Sequence, residues 1–70
     1  MIDHLSAVDL AMVARSGGSL EVDGARYSST DLAMVARSLQ DGRVLVVHNS
    51  RSKSATDMAM IARAGSARFA

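Results

Sequence analysis

Three aspartates, Asp9, Asp31 and Asp57, and three arginines, Arg15, Arg37 and Arg63, recur in register along a chain of 70 residues. Charges repeated in this way can form a ladder that grips a charged ligand. Capping explains both ends of the pattern more simply. Each aspartate stands three residues after a serine, Ser6, Ser28 or Ser54. A serine hydroxyl at a helix N-cap accepts an orphan backbone N–H, and a carboxylate at the third helical position faces the positive helix end. Each arginine stands six residues further on, where a cation complements the negative end. The charges are therefore expected to close helices.

The other reactive groups are sparse. The chain has no cysteine, which excludes disulfides, thiolate metal sites and a cysteine nucleophile. Its two histidines, His4 and His48, lie far apart without ligand spacing, and no metal or other cofactor is expected. No nucleophile-elbow pattern surrounds any serine, so no catalytic residue is assigned and no enzyme is expected. Gly17-Gly18 precedes a strand signal, whereas a phosphate cradle sits between a strand and a helix N-terminus. One basic cluster remains, in His48–Lys53. Its Arg51 and Lys53 are candidate contacts for an anionic partner. No aromatic side chain interleaves with them, which argues against nucleic acid.

Composition narrows the class further. Net charge is +1, neither strongly acidic nor strongly basic. No apolar run approaches the ~18 residues of a membrane span. Met1-Ile2-Asp3-His4 has no basic n-region and no apolar h-region, so no signal peptide is expected and a cytoplasmic location is. One Phe, one Tyr and no Trp leave a core of Val, Leu, Ile, Ala and Met. Below about 70–80 residues a single core rarely suffices without a staple. Without disulfide or metal, oligomerisation is the staple left.

The elements that carry these residues repeat. Ser6–Ser16, Ser28–Ser38 and Ser54–Ala64 are near copies, with aspartates 22 and 26 residues apart (31 − 9 and 57 − 31). A period of this length marks stacked supersecondary units. Helices are expected near 6–16, 28–39 and 54–64, with Gly17, Gly42 and Gly65 as stop signals. Leu5 and Tyr27 are placed to staple against Leu10 and Leu32, whereas Lys53 holds that position in the third unit. Strand signals follow at Leu20–Asp23, Arg43–His48 and Ala67–Ala70. The expected fold is α/β: one domain over 1–70, three αβ repeats (about 6–27, 28–53 and 54–70), and a short parallel sheet with helices on one face. Asp23-Gly24 offers an alternative, a local hairpin onto Ala25–Tyr27.

At about 100° per residue, Leu10, Val13 and Ala14 share a core face, as do Leu32, Val35 and Ala36, then Met58, Ile61 and Ala62. Ala11, Ala33 and Ala59 lie on a flank, where helices can approach. Met12, Met34 and Met60 fall about 200° from the leucine position, opposite the core. Val8 stands one turn before Met12. Stacked repeats would join the methionines into an apolar strip of the kind that marks an interface.

Val44-Leu45-Val46-Val47-His48-Asn49 resembles the apolar-x-apolar-x-x-Asn segment of leucine-rich repeats. The resemblance implies that Val44 and Val46 point inward and that the Asn49 side chain holds the turn. Leu45 and Val47 would then face solvent beside Glu21, as a second apolar surface. Leu20 and Val22 match the apolar pair of the preceding unit, but Ala25 stands at the asparagine position and Asp41 at the upstream leucine. The match is to a degenerate, shortened leucine-rich-repeat-like β/α solenoid. The third helix ends in Ile61-Ala62-Arg63-Ala64-Gly65, as in similar small uncharacterised bacterial proteins.

Leucine-rich repeats generally serve as protein-binding scaffolds. The resulting expectation is a non-enzymatic interaction module that self-associates as a homo-oligomer, a dimer in the simplest case. Its interface would use Met12, Met34, Met60 and Val8, or Leu45 and Val47. The alternative is a small inhibitor or immunity-type protein, such as a phage-encoded counter-defence (anti-CRISPR-like) protein, that blocks a larger partner.

Overall fold

Helix formation follows the serine caps in the computed structural model, which describes residues 1–70. Helices α1 (Ala7–Arg15), α2 (Ser29–Arg37) and α3 (Ala55–Ala64) each begin after a capping serine. The Oγ atoms of Ser6, Ser28 and Ser54 accept the N–H groups of Asp9, Asp31 and Asp57, each at 3.1 Å. The aspartates sit in the first turns and the arginines in the last, as dipole complementation requires.

The helices stop in three different ways. Gly17 takes a left-handed φ of 101° just after the Ser16 cap of α1. After α2, Ser38 is the cap, and Gly42 takes its φ of 78° later, in the turn toward the next strand. Gly65 is extended at φ −176°, so the third glycine is not a left-handed stop.

Removing a cap strands an N–H of the first turn. Ser54→Ala is expected to cost about 0.5–2 kcal/mol, a loss read as several degrees in a thermal melt. Ser66→Ala, whose hydroxyl makes no hydrogen bond, should cost far less. Equal losses would contradict the capping role.

Strands β1 (Leu20–Asp23), β2 (Leu45–His48) and β3 (Ala67–Phe69) form a parallel sheet in the order β1-β2-β3. Ile2 adds a parallel bridge to Val22, through Ile2 N–H to the Glu21 carbonyl at 2.6 Å and Asp23 N–H to the Ile2 carbonyl at 3.0 Å. The hairpin alternative is not formed. Arg26 N–H and Ala25 N–H fold back onto Asp23, through its carbonyl and its Oδ1, and the chain turns directly into α2.

The sheet corrects the inward residues of β2. Leu45 and Val47 are fully buried, and Val44 and Val46 are only half-buried. In register, Leu20 pairs with Leu45 and Val22 with Val47, so the buried set is continuous across the sheet. A one-residue slip exchanges the faces of a strand. Val44–Val47 is apolar at every position, so its own pattern could not choose between the two registers.

Thirteen buried apolar residues form the core between helices and sheet. The middle helix is packed between α1 and α3 and buries Leu32, Ala33, Val35 and Ala36. The outer helices each lose one side of that set. In α1, Leu10, Ala11 and Ala14 are buried while Val13 is exposed; in α3 only Ile61 is buried, Met58 is half-buried, and Ala59 and Ala62 are exposed. The expected core positions Val13 and Ala62 are therefore surface, because neither has a neighbouring helix to cover it.

Candidate interaction surface

The exposed large apolar side chains all belong to the first helix and the residues before it. They are Met1 (68% exposed), Val8 (66%), Met12 (54%) and Val13 (36%). Val8 and Met12 are one helical turn apart and so lie on the same surface of α1. Single exposed hydrophobics are ordinary, but several on one short helix form a patch.

The methionine strip does not have the uniform exposure expected of it. Met34 and Met60 are half-buried and pack against the core, whereas Met12 is exposed. Each of α2 and α3 has a preceding helix beside it, and α1 has none. Leu45 and Val47, the second expected interface, are core residues and offer no surface. Of the six interface residues read from sequence, Met12 and Val8 stand exposed together. Val13, assigned to the core by its helical angle, joins them. The signal for it was present in principle: an end helix in a stack lacks one neighbour, so its lateral residues are uncovered.

The basic loop is also partly committed. Lys53 Nζ donates to the Tyr27 carbonyl at 2.6 Å, and the Tyr27 hydroxyl donates to the Leu5 carbonyl at 2.6 Å. The residues just before the three caps thus form a transverse chain of bonds joining successive segments. Lys53 works as a strut in it, which leaves Arg51, in the single 3₁₀ turn Ser50–Ser52, as the exposed cation.

At the ends of the strands the chain forms a polar clamp. Asn49 adopts a left-handed φ of 57°, and its side-chain amide donates to Asp23 Oδ1 at 2.9 Å. The resemblance implies that the Asn49 side chain holds the turn; here it holds a neighbouring carboxylate. His48 Nε2 lies 2.8 Å from Glu21 Oε1 on the outer sheet face, an exposed pair that contributes little by itself. No cluster of three His, Cys, Asp or Glu side chains comes together in metal-binding geometry, and no cavity opens in the surface.

The Asn49 amide, then the Ala25 N–H, hold the Asp23 carboxyl below its ordinary pKa, with smaller help from Arg26 and His48. A folded-state value below the unfolded one adds stability above the ordinary carboxylate range. That contribution is lost as pH falls through the folded value. In Asn49→Gly, which tolerates the left-handed backbone, the Asp23 midpoint should move up toward the ordinary value. Carboxyl-carbon NMR titration reads this directly, and an unchanged midpoint would contradict the clamp.

Fold and surface together define a small α/β protein with a three-stranded parallel sheet and an apolar patch on its first helix. Comparison of the chain with protein-family models, with curated proteins and with solved structures finds no match. No helix is long and apolar enough to cross a membrane.

Proposed function

We propose that the chain is a non-enzymatic protein-interaction module, a short leucine-rich-repeat-like β/α solenoid that self-associates. The observation that carries this reading is the exposed set Val8, Met12 and Val13 on one helix of a very small domain. Three near-identical cap-to-arginine segments, the parallel sheet and the transverse bonds from Tyr27 and Lys53 support the solenoid part of it. Burying the α1 patch against another copy adds core that so small a domain lacks. In this reading the interface centres on α1, because Val8 and Met12 are exposed there while Met34 and Met60 are half-buried against the core.

Light scattering over a range of concentrations tests this, with wild type beside Val8→Lys/Met12→Lys. Both positions are exposed, so the folded monomer tolerates lysine there. The expected result is association of wild type at micromolar concentration and its loss in the double variant. A wild type that stays monomeric overturns self-association and returns the patch to the small-inhibitor reading, in which a different protein covers it.

A further inference from the structure

Each helix of this chain meets the next through one repeated contact. Taking the buried leucine as the direction of the sheet, Val35 lies on the flank of α2 facing α1, and Ala33 and Ala36 lie on the flank facing α3. Ile61 is the residue of α3 in the place of Val35. Burial and helical angle thus set a branched side chain of the following helix on the flank toward two alanines of the preceding one: Val35 toward Ala11 and Ala14, then Ile61 toward Ala33 and Ala36, all buried. The approach is close enough that Gly65, after α3, lies directly against the Ala36 carbonyl.

The two halves of this contact are left open at opposite ends of the molecule. On α1, Val13 is the branched residue with no alanines to meet. On α3, Ala59 and Ala62 are the alanines with no branched residue over them, and both are exposed. The sheet is open at the same end as α3, whereas at the α1 end Ile2 covers the edge of β1, so the contact that continues is the one between helices. Leu45 N–H bonds to the Ser66 carbonyl and Ala70 N–H to the Val47 carbonyl, so the even-numbered residues of this segment face β2. Ala67 and Phe69 therefore turn their N–H and C=O groups to the free edge.

We propose that a second copy of this chain docks head to tail on the α3 end, with its α1 beside α3. Its Val13 takes the place over Ala59 and Ala62 that Ile61 takes over Ala33 and Ala36 within the chain. The partner is argued from the continuity of that contact: the α1/α2 and α2/α3 interfaces are the template, and this chain carries both missing halves. The interface is heterologous, joining different surfaces of the two copies, so each dimer keeps one free end of each kind and can extend. This inference rests on the self-association proposed above and names its geometry.

A mixing experiment tests it. Val13→Lys spoils only the α1 end, and Ala59→Lys only the α3 end; both residues are exposed, and circular dichroism melts verify the folded monomer. Sedimentation at up to a few hundred micromolar should show wild type growing beyond a dimer with concentration. Each variant alone should stay monomeric. Their equimolar mixture should form a one-to-one complex, since each retains the end the other lacks. Association of wild type that Ala59→Lys does not weaken overturns the head-to-tail geometry. If Val8→Lys/Met12→Lys abolishes that association, self-association stands through an isologous α1 patch. A mixture that stays monomeric beside an associating wild type likewise overturns the proposal. A monomeric wild type overturns both.

Discussion

Val35→Asp should abolish the cooperative unfolding transition of this protein at neutral pH. Val35 is fully buried in the middle helix, packed among apolar side chains. A carboxylate there has no cation or donor to meet, and its desolvation costs several kcal/mol even after relaxation. The whole stability expected for a chain of this length is only about 4–10 kcal/mol. The matched control is Val13→Asp. Val13 occupies the same position in α1 but lies at the surface, so its substitution should cost about 1 kcal/mol or less. Circular dichroism melts of the two variants at low concentration read the difference. A wild-type melt for Val35→Asp would show that the middle helix is not flanked on both sides.

Gly65→Ala is the second severe change, for a purely steric reason. Gly65 is extended, a conformation any residue adopts, so no backbone preference is at stake. What matters is the space beside it. A Cβ at this position would clash with the Ala36 carbonyl oxygen and crowd the Ala36 backbone. Backbone cannot swing aside as a side chain can, so α3 must move away from α2. Overpacking of this kind costs about 1–3 kcal/mol or more. Gly42→Ala gives the contrast. There a Cβ meets nothing within 4 Å, and the only penalty is the left-handed φ of 78°. Denaturant melts should show Gly65→Ala as the larger loss, with Ile61 becoming accessible to solvent exchange. Equal losses would mean that α3 does not seat against Ala36.

The difference between these two glycines illustrates the limit of a stop signal. Both follow a helix in sequence, and both read alike as punctuation. One is needed for its dihedral angle and the other for the thinness of its side. Only a neighbouring chain segment distinguishes them.

Local chemistry determined much of this protein directly. Ser6, Ser28 and Ser54 satisfy N–H groups three residues away, so the helix starts are legible from spacing alone. The alternation of Leu20-Glu21-Val22-Asp23 showed which face of β1 is buried, because its polar residues mark the other face. Strand–helix–strand spacing determined the parallel sheet, since short strands joined through a helix return in the same direction.

Tertiary structure decided what local pattern leaves degenerate. Val44–Val47 has no polar residue to orient it, and only pairing with β1 put Leu45 and Val47 inside. Val13, Val35 and Ile61 have the same angle on their helices, yet one is surface and two are core. Met12, Met34 and Met60 diverge in the same way. Sequence periodicity describes a helix relative to its own axis. Burial depends on how many neighbours that axis has, and α1 has a helix on one side only.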